Sequence, residues 1–305
     1  MLRPLLSLAA ICLSAPALAQ APAAAAGMPG SDCIIRMNAT PTSWMIQGYD
    51  PFGGTLPEGT FSVTYINDGT AECRFVPSFE LDQPPFGLSE GSGRPIRYAL
   101  LNLTDTQDLT PRAGRSQRVP SQRDVALAPN ESRTVLYKLV ADPDDIHRAG
   151  VFTQDVTLEA QDASFRSIGG TRLVLGINVL PSARIGLAGA YTMSDGHAVV
   201  DLGELRQGTA PVPLQLRVNS TGGYDINVVS ANAGRLRLGS SDWYVPYTVA
   251  IGGNTANLRG PSTISGPAEA RGRRDSLPIE FVIGDVSDRR AGVYSDVITI
   301  AVTAR

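Results

Sequence analysis

Residues Phe61-Ser62-Val63-Thr64-Tyr65-Ile66 alternate apolar and polar side chains, the period of a strand with one buried face. Asn67-Asp68-Gly69 then supplies turn chemistry and Glu72 to Phe79 follows as a returning partner, so a hairpin is predicted here. Comparable short segments bounded by turn residues recur at Arg97–Leu103, Asp124–Leu127, Thr134–Val140, Val151–Ala160 and Leu173–Leu180. In the second half they fall at Ala198–Leu202, Val212–Val218, Tyr224–Ser230, Tyr244–Ile251, Ile279–Ile283 and Tyr294–Thr303. No stretch sustains a helical period with caps, so helix is limited to a turn or two. Roughly seven short strands per half, separated by turn signals, predict an all-β chain of two immunoglobulin-like sandwiches in tandem.

An internal repeat supports that count. Arg148-Ala149-Gly150-Val151-Phe152 recurs as Arg290-Ala291-Gly292-Val293-Tyr294, each copy after a strand and an acidic turn and before an alternating strand, DVTLEA and DVITIAV. The same supersecondary unit is therefore built twice. A boundary near Leu180–Ala183 divides the chain into expected domains at 32–181 and 182–305. Beyond the repeat the two halves diverge. After the first copy, Ser167-Ile168-Gly169-Gly170 turns the chain into another apolar run, Leu173 to Leu180, whereas after the second the sequence stops at Arg305. If Leu173–Leu180 completes the first sandwich, the second lacks its counterpart and exposes an unpaired edge over an open core. Alternatively Leu173–Leu180 opens the second domain or serves both, and nothing is missing.

Composition narrows the function classes. The formal net charge of −3 and the single lysine, Lys138, leave no basic field for nucleic acid and no polybasic patch for a lipid surface. Met1-Leu2-Arg3, the apolar stretch Leu5–Leu13 and Ala17-Leu18-Ala19 have the form of a secretory signal peptide, expected at 1–19. Gln20–Gly30 (QAPAAAAGMPG) is low-complexity, so 20–31 is expected to be a flexible lead-in. No later run reaches about 18 apolar residues, so no membrane-embedded segment is expected. Removal of Cys12 with the signal leaves Cys33 and Cys73 as one possible bridge in a compartment that permits disulfides. It would close a loop of roughly 40 residues.

Catalytic chemistry is hard to assemble. His147 and His197 are the only histidines, neither has metal-ligand spacing with Cys33 or Cys73, and no serine sits in a nucleophile elbow. No cofactor is implied, and an enzyme is not expected. Asp142, Asp144 and Asp145 before one repeat and Asp285 and Asp288 before the other could ligate calcium, although turn formation accounts for them more simply. Trp44 in TSWMIQG is expected in the core. Two Pro/Gly-stiffened segments, Tyr49–Pro57 and Gln83–Leu88, offer surface-contact candidates in Tyr49, Phe52, Leu56, Pro85, Phe86 and Leu88. They are expected on loops at the end of the first domain farthest from Pro181, unless Phe52, Phe86 and Leu88 tuck back over the sandwich.

In the second half, Val200-Asp201-Leu202-Gly203-Glu204-Leu205, Gly223-Tyr224-Asp225-Ile226, Val229 to Leu236, Val245-Pro246-Tyr247-Thr248-Val249 and Ala291 to Asp296 resemble the spore coat U domain, the pilin family of archaic Csu-type chaperone-usher pili. The likeness runs in consistent order over Ala183–Arg305. More loosely, Asp32-Cys33, Phe61–Asn67, Cys73 and the RAGVF strand resemble the N-terminal domain of the two-domain tip adhesin of such pili. The second domain departs from the usual pilin in having no cysteine pair. The resemblance implies an incomplete C-terminal sandwich held by a periplasmic chaperone, delivered through an outer-membrane usher, and completed by a donor strand from a neighbouring pilin subunit. Val297, Ile298, Ile300 and Val302 are the expected groove residues. QAPAAAAGMPG carries no alternating large apolar residues to donate in turn, which implies a fibre-tip position. The N-terminal domain would then meet an abiotic or host surface, as in biofilm attachment, after export through the periplasm. The alternatives are a non-adhesive minor pilus or coat-like protein, and a stand-alone secreted binding module.

Overall fold

The computed structural model describes residues 32–91, 93–118, 122–267 and 272–305. The expected signal peptide and lead-in lie outside the described residues. The first half forms β1 (Ile35–Ala39), β2 (Ser43–Tyr49), β3 (Glu58–Asn67), β4 (Cys73–Leu81), β5 (Tyr98–Asn102), β6 (Gln107–Asp108), β7 (Val125–Leu127), β8 (Ser132–Ala141), β9 (Gly150–Gln161) and β10 (Ser167–Val179). The second forms β11 (Ala183–Gly189), β12 (Thr192–Ser194), β13 (His197–Val199), β14 (Gly208–Thr209), β15 (Leu214–Ser220), β16 (Tyr224–Ser230) and β17 (Arg235–Leu238). It continues through β18 (Tyr244–Ile251), β19 (Asn254–Ala256), β20 (Ser262–Ser265), β21 (Arg273–Ile283), β22 (Tyr294–Ser295) and β23 (Ile298–Ala304). The described helical structure is one 3-10 turn at Pro143–Asp145.

Two sandwiches result, each with its own buried cluster. The N-terminal one opposes a sheet ordered β1-β3-β8-β5-β6 to a sheet ordered β2-β10-β9-β4-β7. Alternation along β8 points Val135, Tyr137, Leu139 and Ala141 inward. Trp44 is fully buried, stacked on Phe61 and Tyr137 at 5.3 and 5.5 Å between ring centroids. The Tyr65 and Tyr137 hydroxyls, both buried, satisfy each other at 2.6 Å. The C-terminal sandwich opposes β11-β15-β21-β18-β17-β22 to the shorter β20-β16-β23.

β3 and β4 do not form the expected hairpin. β3 pairs with β1 and β8, and β4 with β9 and β7, so the chain crosses between sheets at Asn67–Gly69. The reason lies in Asn67, which is buried and donates through Nδ2 to the carbonyls of Ala71 and Leu127 while Oδ1 accepts from Gly69 N. The crossing is fastened by a disulfide between Cys33 and Cys73, whose Cα atoms are 5.3 Å apart.

The repeated tripeptide has a backbone cause. Gly150 and Gly292 both have positive φ, 143° and 154°, a conformation side chains resist. Between the sandwiches, Ser182 N donates to Thr221 Oγ1 (2.8 Å), Thr221 N to Ser182 O (2.9 Å) and Ser220 Oγ to Ser182 O (3.2 Å). All three residues are buried, and Ala149 N of the first repeat donates to Thr221 O at 3.2 Å.

Each sandwich carries one tryptophan, Trp44 buried and Trp243 half-buried. Replacing Cys33 and Cys73 by Ser should cost the N-terminal sandwich about 3–4 kcal/mol, the closure entropy of the loop they cross-link. Urea titration should show an earlier transition at Trp44 and an unmoved one at Trp243. An unmoved Trp44 transition would show that the bridge adds nothing.

Candidate functional site

The two sandwiches provide an internal comparison. The order β1-β3-β8-β5-β6 in the first matches β11-β15-β21-β18-β17 in the second, and β4 and β9 correspond to β16 and β23. In the first, β9 lies between β4 and β10, with β10 antiparallel to it from Ser167 opposite Gln161 to Val179 opposite Gly150. Leu173, Leu175, Ile177 and Val179 of β10 are each at most 1% exposed, which assigns the Leu173–Leu180 run to the N-terminal sandwich. In the second, β23 pairs with β16 alone, and no described strand occupies the position of β10.

Burial differs between the two sandwiches in the same way. Phe152, Val156, Leu158 and Ala160 of β9 are at most 2% exposed. On β23, Ile298, Ile300 and Val302 face the core in the same alternation but remain only half-buried. Ile185 and Leu187 of β11 are likewise half-buried. Between these rows lies a cleft of about 1630 Å³ whose floor includes Leu216, Val249 and Phe281. Val297, expected among the groove residues, is out of phase with the row and 63% exposed, although it borders the cleft.

Asp296 sets that phase. Its carboxylate accepts from Ser230 Oγ (2.5 Å), Tyr247 OH (2.6 Å) and Asn232 N (2.9 Å), where the chain leaves β22 on one sheet and enters β23 on the other. Burial pushes the Tyr247 phenol well above its ordinary value, and its hydrogen bond to Asp296 pushes it further. Beside the cleft, β12 and β13 form a separate exposed hairpin with Met193 64% exposed. The strand expected at Ala198–Leu202 is reduced to the end of this hairpin.

The surface-contact candidates are not brought together on a distal tip. Because β2 runs parallel to β10, its last residue lies beside the end of β10, and Leu180 N donates to Tyr49 O at 2.9 Å. The Asp50–Pro57 loop therefore leaves at the Pro181 end, the opposite of the expected end. Residues 82–90 run beside β9 back toward its start, where Ser89 bridges Thr153 and Glu90 pairs with Arg148. Tyr49 and Leu88 are buried and Phe86 is half-buried against Tyr98, so these three are packing residues. Phe52 is half-buried, while Pro85 and Leu56 are exposed. The end away from Pro181 carries instead residues 68–72, 128–131 and 162–166, with Ile34 52% and Phe165 63% exposed. The local signal for Phe165 is a turn begun by Asp162, whose Oδ1 accepts from Ser164 N and Arg166 N.

Among the described residues, no group of three or more His, Cys, Asp or Glu is placed to hold a metal. Asp145 accepts from Arg97 Nε at 2.6 Å and Asp142 pairs with Arg97 at 2.7 Å, so these carboxylates are committed to a guanidinium rather than calcium. Arg97 is also the main reason the Asp145 carboxyl lies below its ordinary range. No described helix is long and apolar enough to cross a membrane.

The chain matches no protein-family model and no curated protein. Among solved structures it is similar to a chain of the chaperone–tip adhesion subunit pre-assembly complex of the archaic Csu pili of Acinetobacter baumannii, at 13% identity over 85% of this chain and 97% of that one, TM-score 0.44. It is also similar to the CupB6 tip adhesin of Pseudomonas aeruginosa, at 13% identity over 88% and 94%, TM-score 0.33. A third is CfaE, the adhesive subunit of CFA/I fimbria of enterotoxigenic Escherichia coli, at 12% identity over 86% and 92%, TM-score 0.32.

Replacing Asp296 by Ala leaves the Tyr247 and Ser230 hydroxyls without their shared acceptor. The C-terminal sandwich should lose about 2–4 kcal/mol, the range for hydrogen bonds to a partly buried charge. Chemical denaturation followed at Trp243 measures the loss, and a change confined to Trp44 would contradict this placement.

Proposed function

We propose that this protein is the tip subunit of a chaperone-usher surface fibre, with a domain boundary at 181/182. Its C-terminal sandwich accepts a donor strand from a neighbouring pilin subunit, and its N-terminal sandwich is presented to a surface. One observation carries the reading: β23 offers an unpaired edge beside a cleft floored by the sandwich's own core, whereas the corresponding β9 is covered by β10. An edge strand over an exposed core favours strand addition, in which main-chain hydrogen bonds bind and alternate side chains fill the groove. Ile298, Ile300 and Val302 supply one wall, and a periplasmic chaperone would occupy the cleft before the donor does. The resemblance of Ala183–Arg305 to the spore coat U domain supports the same reading. The end bearing Ile34 and Phe165, opposite the C-terminal sandwich, is the face we assign to surface contact in biofilm attachment.

The test is donor complementation of the exported chain. A peptide of alternating large apolar residues, at about 100 times its dissociation constant, should stabilise the C-terminal sandwich by about 2.7 kcal/mol. Calorimetry should show the transition rising, and Ile300→Asp should abolish the rise by placing a charge in the groove. A melting temperature indifferent to every such strand would remove the acceptor reading and leave a stand-alone module.

A further inference from the structure

The repeated RAG tripeptide begins with an arginine whose surroundings differ between the two sandwiches. In the first, Arg148 lies over the Phe152 ring at 4.8 Å and forms an ion pair with Glu90. In the second, Arg290 lies over the Trp243 ring at 5.0 Å and, among the described residues, has no carboxylate within ion-pair distance. Its neighbour Arg289 lies 5.4 Å over Tyr244, whose ring Arg235 also covers at 5.1 Å, and neither arginine has an ion-pair partner among the described residues. Arg289 Nε is buried without a hydrogen-bond acceptor. Both Arg289 and Arg290 line the cleft.

Three of the four acids that line the cleft already have partners. Asp296 accepts from Ser230, Tyr247 and Asn232. Glu204 pairs with Arg206, and Asp201 accepts from Gly203 N. Asp285, outside the cleft lining, accepts from Ser287 N, which holds its carboxyl below the ordinary value with a smaller contribution from the Arg289 charge. Asp195 sits in the turn of the exposed hairpin. The cleft thus combines apolar walls with two guanidinium groups that have no ion-pair partner among the described residues, and the buried Nε of Arg289 is a donor that is costly until an acceptor arrives.

We infer that the strand completing the C-terminal sandwich carries a carboxylate at the end that reaches Arg289 and Arg290, supplying in trans the counter-charge that Glu90 gives Arg148 within the chain. This rests on the donor-acceptor reading above. A strand antiparallel to β23, as β10 is to β9, brings its C-terminal end to this end of the cleft. The apolar alternation would then bind any donor, and the carboxylate would select among them.

The test uses the exported chain and two synthetic peptides as long as β23, alternating Val and Thr, amidated and ending in Asp-Asp or Asn-Asn. The acidic peptide should bind about fivefold tighter in low salt, the scale of partly exposed ion pairs. The advantage should vanish in high salt and in the double variant Arg289→Gln with Arg290→Gln. The Asn-Asn peptide should bind wild type and variant alike, which shows that the variant is folded. Equal binding of both peptides to the wild type overturns this inference and leaves the acceptor groove intact. Binding of neither overturns the acceptor reading and this inference with it.

Discussion

A β-strand's backbone groups require partners on both sides unless water reaches them, and the architecture of this chain follows from how each half meets that demand. In the N-terminal sandwich every element of the β2-β10-β9-β4-β7 sheet is drawn from the same stretch of chain, and β10 seals both the ladder of β9 and the core beneath it. The C-terminal sandwich repeats the plan up to β23, and no described strand takes the position that β10 holds in the first. Side chains follow the backbone: residues fully buried on β9 have half-buried counterparts on β23. Area burial contributes about 25 cal/mol per Å², so the half-buried row on β23 contributes less than the fully buried row on β9.

Strand content was largely legible because alternation is a local property. β8, β9, β15, β16 and β18 lie close to where the two-residue period indicates. Pairing was not legible, because it depends on contacts distant in sequence. Asn67-Asp68-Gly69 is good turn chemistry, but the partner that decides its geometry includes the Leu127 carbonyl, 60 residues away. β11 (ARIGLAG) turns Ile185 and Leu187 inward, but its outward Gly186 and Ala188 are not polar and so do not mark the alternation.

The same distinction governs the site. The alternation of Ile298, Ile300 and Val302 is visible in the sequence, whereas the phase break that turns Val297 outward comes from the four hydrogen bonds received by Asp296, one of them from Val297 N. The Tyr49–Pro57 loop has the composition of a contact surface, yet its location follows from a parallel β2–β10 pairing that local pattern does not encode. Likewise the RAG repeat is obvious, while the presence of Glu90 beside Arg148, 58 residues apart, and the lack of an equivalent at Arg290 among the described residues appear only in three dimensions.

The position of β10 also bears on time. A chain emerging amino end first presents all ten strands of the N-terminal sandwich before the C-terminal one has its second half, so the first unit can close on itself with nothing supplied from outside. In the second, β23 has β16 as its one paired neighbour among the described residues. One molecule therefore joins a sandwich whose β9 is flanked on both sides by its own strands to one whose last strand has a single neighbour among the described residues. The buried Ser182–Thr221 contacts lie where the two sandwiches meet.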